Sequence, residues 1–294
     1  MPSIIDHHAT STTKLLNVGA SSAGKTGALA SLADAGFKLR ILDIDNGVDL
    51  LQSVYMAPNS PYKRENARNI QYETFTDPMK SVNGKLQPAK ATVWTRVCTF
   101  LDDGKIKDHE GKVVEEWGPL KSWGPEYVLC VDTVSHLWQA AMNFEKALNG
   151  RLGQQPHQSD WYACQQDIRQ FFEYLHDEDV RCNVVVNCHV KEAGEENGPK
   201  RLVPDMPGKA LDDKIGSYFN TVIMTKTVGS GTSEKRKIIT RSTHLIELKT
   251  SNPFAVKPEY DLERGMAELF ADLRGQSVAQ MTEQLAKLAA ESKK

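Results

Sequence analysis

Gly19-Ala20-Ser21-Ser22-Ala23-Gly24-Lys25-Thr26 reads G-x-x-x-x-G-K-T, a residue pattern built for phosphate chemistry. Small residues let backbone N–H groups close around a polyphosphate, and Gly27 carries the loop into a helix. In such a loop Lys25 lies between the β- and γ-phosphates and the Thr26 hydroxyl binds Mg2+. The chemistry implied is the binding of a polyphosphate with Mg2+.

Further polar residues end apolar runs. Asp43 and Asp45 follow Lys38-Leu39-Arg40-Ile41-Leu42 and, two apart, share one face of a strand. In α/β sheets ligands bind beyond the carboxyl ends of strands, so either acid is a candidate for orienting an attacking water. The other reading is a strand-end turn, because Asp45-Asn46-Gly47 is good turn chemistry. Asp132 closes the run Tyr127-Val128-Leu129-Cys130-Val131. A lone carboxylate there is costly without a cation or donors. Sharing Mg2+ with Thr26 meets that need; capping the next helix is the alternative. His189 ends Asn183-Val184-Val185-Val186-Asn187-Cys188, where it either touches a γ-phosphate and reports its loss or serves the core. Residues 191–213 then read as a long Gly-, Pro-, Lys- and Glu-rich loop. With Lys191, Lys200, Arg201, Lys209 and Lys214 in or beside it, the loop is a candidate contact for single-stranded DNA. Its acids, Glu192, Glu195, Glu196, Asp205, Asp212 and Asp213, offset that charge.

The elements that must position these groups alternate between strand and helix. Leu15-Leu16-Asn17-Val18 reads as a buried strand before the loop. Leu29, Leu32 and Ala33 mark one face of the helix after it, ended by Gly36. Residues 52–70 read as a polar loop and 70–75 as a strand. Residues 89–101 read as a helix and 105–117 as a hairpin around Glu110-Gly111, and 76–125 stand as an insertion between core strands. Helices are expected over 135–148 and 159–176, the second carrying the core stripe Trp161, Cys164, Ile168, Phe171, Phe172 and Leu175. Strands follow over 219–225, 237–241 and 244–249, then two amphipathic helices broken at Gly275.

The fold class is therefore α/β: a mostly parallel central sheet flanked by helices, with antiparallel strands toward the C-terminal side. The domain reading is an arm over 1–13, a core over 14–262 and C-terminal helices over 263–294. His7-His8 in the arm lacks a nearby third ligand and reads as a solvated tail.

The chain has 294 residues, 40% hydrophobic and 25% charged, ordinary for a globular protein that buries a sizeable core. A net charge of −2 gives no global field for nucleic acid, so any such contact must be local. Five scattered cysteines without CxxC pairing suit a reducing compartment. With no signal pattern and no apolar run of spanning length, the expectation is a cytoplasmic protein with no membrane contact.

In four places, in order, the chain resembles the RecA-like P-loop ATPases. GASSAGKT resembles their Walker A loop, and Val128–Ser135 their Walker B strand. Leu42–Asp49 is similar to the strand whose end bears their catalytic carboxylate, which falls on Asp45. Val184–His189 is similar to the strand ending in their γ-phosphate-sensing glutamine, which falls on His189. A looser likeness, Leu248–Phe254, puts Lys249 where RecA reaches its neighbour's nucleotide; Arg241 is a second choice. The resemblance covers about residues 14–256 and is nearest to phage-borne minimal RecA-like proteins, including the Sak-type annealing proteins. Asp replaces Glu at 45, which shortens the base and slows hydrolysis or needs an extra water; His replaces Gln at 189; and 76–125 has no RecA counterpart.

The resemblance implies an oligomeric, DNA-dependent ATPase for phage recombination or annealing in the host cytoplasm. Its partners would be single-stranded DNA, its own copies in a ring or filament, and a single-strand binding protein. The competing readings are an ATP-gated assembly module with little turnover and a small-molecule P-loop kinase, whose lid would be the long loop.

Overall fold

The protein is described from a computed structural model, which covers residues 12–107, 111–194 and 200–291. Most of the expected arm with His7-His8, the tip of the 105–117 hairpin at Glu110, and Glu195 and Glu196 lie outside the described residues.

The chain opens with β1 (Lys14–Gly19), the phosphate-loop turn, and the short helices α1 (Lys25–Ala28) and α2 (Ala30–Asp34). β2 (Lys38–Asp43), α3 (Asp49–Met56) and β3 (Ile70–Thr74) follow. The expected insertion holds the hairpin β4 (Met79–Val82) and β5 (Lys85–Pro88), the helix α4 (Val93–Asp103), and the hairpin β6 (Lys105–Lys107) and β7 (Val113–Glu116). β8 (Tyr127–Asp132) leads to α5 (Val134–Leu148) and α6 (Gln158–Leu175). β9 (Asn183–Ala193) is followed by β10 (Arg201–Pro204) and α7 (Lys209–Asp212). β11 (Thr221–Val228), β12 (Lys235–Ile239), β13 (Glu259–Asp261), α8 (Leu262–Leu273) and α9 (Val278–Glu291) complete the chain.

Among the described residues the main sheet has nine strands in the order β13-β12-β11-β1-β9-β8-β2-β3, with β10 paired to the far part of β9. The six strands from β11 to β3 run parallel; β12, β13 and β10 are antiparallel. Register brings the functional ends to one edge, with Gly19 opposite His189 and Asp43 opposite Asp132.

Period-two geometry explains the unbroken apolar runs. Leu15, Ile41, Cys130 and Val185 point to the face covered by α1, α2, α3, α8 and α9. Leu16, Leu42, Val131 and Val186 point to the opposite face, under α4, α5 and α6. Both faces are buried, so alternate residues need not be polar. Truncating a fully buried Leu such as Leu129 to Ala would cost about 2–5 kcal/mol. Cys130, Cys164, Cys182 and Cys188 are buried free thiols and Cys98 is exposed. No described helix is long and apolar enough to cross a membrane.

Three stretches differ from expectation. Residues 49–56, partly expected as loop, form α3, whose Leu51 and Tyr55 lie one turn apart and bury against the first helices. Residues 191–213 are not a long loop: β9 continues to Ala193 and pairs with β10, and α7 follows. That part of β9 leaves the sandwiched sheet, so it needs no apolar run, and its polarity hid the strand. Residues 244–249 form no strand; Lys249 makes a single bridge to Val222.

Candidate nucleotide-binding site

The loop after β1 turns through Ser22 (φ 62°) and Gly24 (φ 102°) in left-handed conformations. Glycine at 24 answers a steric demand as well. A Cβ there would lie 2.7 Å from Leu262 Cδ2 and 3.1 Å from Arg236 Cδ. At Gly19 it would lie 2.5 Å from the Thr225 carbonyl oxygen, so the strand end is pressed against β11. Ala20, Ser21 and Ser22 are exposed, Ala23 and Gly27 buried, and Ala23 N–H closes the turn onto Ala20 O at 3.2 Å.

Lys25 is only 5% exposed. Its Nζ donates to Gly19 O (3.0 Å), Ala20 O (2.9 Å) and His189 Nδ1 (3.1 Å), all neutral acceptors. Burial pushes its pKa below the usual lysine value. A buried ammonium held by two carbonyls and a neutral imidazole is poised for an anion.

Thr26 Oγ1 donates to Asp132 Oδ2 at 2.6 Å, and Asn187 Nδ2 donates to Asp132 Oδ1 at 3.0 Å. Asn17 Nδ2 in turn donates to Asn187 Oδ1 at 2.9 Å, so β1, β9 and β8 are cross-linked behind the acid. Asp132 is 1% exposed, and burial raises its pKa to about 6. A buried carboxylate touching a hydroxyl, with no cation in direct contact among the described residues, is an oxygen-only donor set that fits Mg2+.

The two acids after β2 part company. Asp43 accepts from Gly47 N–H and from Thr74 Oγ1, both at 3.0 Å, and secures the turn. Asp45 instead lines a cavity of about 230 Å3 together with Lys25, Thr26, His189, Leu50 and Arg236. Its Oδ1 is buried without a hydrogen-bond partner among the described residues. Burial, then the nearby Asp43, raise its pKa.

His189 is held on β9 by its own N–H bonding Ser135 Oγ at 2.9 Å. Burial first, then Lys25 and His136, lower its pKa to about 4, so the ring is neutral at pH 7. The His136 ring meets it edge-on, 5.6 Å between centroids. His136, in the first turn of α5, carried no signal in the sequence pattern.

A second cavity, about 610 Å3, adjoins the first and shares Gly24, Leu50 and Arg236 with it. Its walls include Val54, Tyr62 and Leu262, and the Tyr62 hydroxyl donates to the Glu263 carbonyl, tying the segment after α3 to α8. Leu50, Tyr62, Arg236 and Leu262 were not foreseen. Arg236 lies between the strands expected over 219–225 and 237–241, and no local signal points it at a loop some two hundred residues earlier. It is exposed and has no ion pair among the described residues.

The structure does not bring the remaining candidates to this cavity. Lys249 lies with Arg201 along a separate cavity of about 560 Å3 between β10 and residues 243–249. Arg241 donates to Pro253 O and Val256 O, fastening its own loop. Lys191 pairs with Asp205 (3.3 Å) and Asp212 (3.0 Å), Lys200 with Glu192 (2.9 Å) and Arg201 with Asp213 (2.7 Å). Lys209 and Lys214 are exposed, without an ion pair among the described residues.

No curated protein matches the chain. Among solved structures it is similar to a crystal structure of the RadB recombinase, at 13% identity over 86% of this chain and 89% of that one, with a TM-score of 0.41. Residues 11–251 match the AAA domain family, a span that takes in the phosphate loop, Asp45, Asp132, His189 and Arg236, and the chain belongs to that family.

Proposed function

We infer that the protein is a RecA-like ATPase that binds ATP with Mg2+ and hydrolyses it slowly. The observation that carries this reading is the meeting of three groups at one cavity: Lys25 with neutral partners only, Thr26 with its hydroxyl bonded to the buried Asp132 behind it, and Asp45 with its unpartnered oxygen. Lys25 turns from the Gly19 and Ala20 carbonyls to the phosphates. Thr26 and Asp132 would hold Mg2+, which supplies charge neutralisation on the phosphate oxygens when bound. Asp45 orients the attacking water. Arg236, at the seam of the two cavities, meets the phosphates from the same chain, and the nucleoside enters the larger cavity between Leu50, Val54, Tyr62 and Leu262. His189 reads the γ-phosphate and passes its loss to the β9–β10 hairpin.

The reading extends to an oligomer that grips single-stranded DNA during phage recombination or annealing, with Lys249 reaching a neighbouring copy. Exposed Lys209 and Lys214 support a local contact with the DNA backbone; the ion pairs of Lys191, Lys200 and Arg201 limit it. Phosphate release measured with and without single-stranded DNA tests both parts. Release that Lys25→Ala abolishes, and that DNA stimulates, is expected; release unchanged in Lys25→Ala would overturn the reading. Stoichiometric nucleotide binding without turnover would instead identify the assembly module.

A further inference from the structure

We propose that Asp45, His136 and His189 form a binding site for a divalent transition-metal ion, separate from the oxygen-only pair Thr26–Asp132. Each of the three offers a ligand atom, and these atoms lie within 4.8 Å of one another. They come from three elements: the turn after β2, the start of α5 and the body of β9. The cluster is thus assembled by the fold and not by a local sequence motif.

The side chains are already oriented. The His136 Nδ1 contact with Thr133 Oγ1, at 3.1 Å, fixes that ring and leaves Nε2 for another partner. Ser135 fixes the His189 backbone, and the two rings meet edge-on. Asp45 contributes an oxygen that is buried and otherwise unpartnered. Two imidazoles and one carboxylate suit Zn2+, Co2+ or Ni2+ and not Mg2+, which takes oxygen ligands. Tetrahedral ligation at about 2.1 Å sets ligand atoms about 3.4 Å apart, so side-chain rotations that contract the cluster by up to about 1.4 Å complete it. Asp45 and His189 also line the phosphate cavity, so a coordination position left open there would take water or a phosphate oxygen.

Lys25 is the competing group. It donates to His189 Nδ1, which places the proton of the neutral ring on Nε2. Ligation through Nε2 moves that proton to Nδ1 and ends the contact. Lys25 keeps its bonds to Gly19 O and Ala20 O, so the exchange removes one acceptor of three. A phosphate anion that draws Lys25 away would therefore tighten metal binding, but the site itself does not depend on the ATP reading.

The test uses the full, untagged chain without nucleotide. Co2+ is titrated in while its visible d–d absorption is followed, and bound metal is counted by equilibrium dialysis. One Co2+ per chain is expected, displaced by Zn2+ and not by excess Mg2+. His136→Gln and His189→Gln should each weaken binding at least tenfold, while Cys188→Ser and a variant lacking His7 and His8 should keep the band. Uptake that survives both glutamine variants, or that vanishes with His7 and His8 or with the Cys188 thiol, overturns the proposal. A second measurement covers variants that fail to fold: Zn2+ added to the wild-type chain must shift the ring nitrogen resonances of His136 and His189, and unmoved resonances overturn it.

Discussion

Lys25 and Lys191 both serve the carboxyl edge of the sheet, and their surroundings are opposite. Lys25 is buried with two backbone carbonyls and a neutral imidazole, and no carboxylate among the described residues touches it. Lys191 on β9 is partly exposed and bonded to both Asp205 and Asp212. A cation held for a ligand is denied internal counter-ions, whereas a cation that joins two pieces of backbone is given them. On that measure Lys25 and Arg236, which line the cavity, are the candidates for ligand contact, and Lys191, Lys200 and Arg201 brace the β9–β10 hairpin and α7.

The largest expected effect is at Lys25. Lys25→Ala should weaken ATP binding by at least a hundredfold, about 3 kcal/mol, read by a fluorescent nucleotide analogue. Lys191→Ala should leave nucleotide affinity unchanged and lower stability by about 1 kcal/mol in denaturant melts, because buried Asp212 loses its cation. Equal effects of the two variants on nucleotide affinity would break the contrast.

Next comes the acid that Lys25 does not reach. Asp132 has a native pKa raised to about 6, so between pH 4 and 6 the folded chain binds more protons than the unfolded one and stability falls as pH rises. Asp132→Asn, whose amide can still bond Thr26 and Asn187, should raise the stability of the nucleotide-free protein at pH 8 by up to about 3 kcal/mol while removing Mg2+-dependent binding. His189 titrates in the reverse sense. Its native pKa of about 4 makes the unfolded chain the better proton binder up to about pH 6.5, so its contribution grows with pH. The two slopes oppose each other. Thermal melts from pH 4 to 6.5 should show Asp132→Asn gaining stability with pH relative to wild type and His189→Gln losing it; curves parallel to wild type would show that the two groups do not titrate this way.

Asp45→Asn should retain ATP binding and reduce phosphate release at least tenfold. Asp43→Asn should instead cost about 1–2 kcal/mol of stability through the Gly47 and Thr74 bonds. Reversed outcomes would transfer the water-orienting role to Asp43. The smallest effect belongs to Lys200→Ala and Arg201→Ala. Each breaks an exposed pair, so stability should change by less than about 1 kcal/mol. A large loss of single-strand affinity in either, measured by fluorescence anisotropy, would give those pairs a second role.

Much of the site was legible because strand chemistry is local. Four apolar runs were enough to locate Gly19, Asp43 and Asp132 at strand ends and His189 where the apolar part of β9 stops, and the parallel register aligned them. The choice between Asp43 and Asp45 was not legible, since it depends on which acid Thr74 and Gly47 capture. Arg236 and Leu262 were hidden for a different reason: their role is contact with Gly24 across the fold, and no spacing encodes that. The β9–β10 pairing was hidden because a ladder outside the sandwiched sheet can be built from charged residues.

The contact of Leu262 and Arg236 with Gly24 also bears on how the molecule is made. The phosphate loop leaves the ribosome early, yet the residues that roof it are translated more than two hundred positions later. A nascent chain therefore has no closed pocket until β12, β13 and the start of α8 have emerged, and ATP in the cell can favour only the nearly finished product.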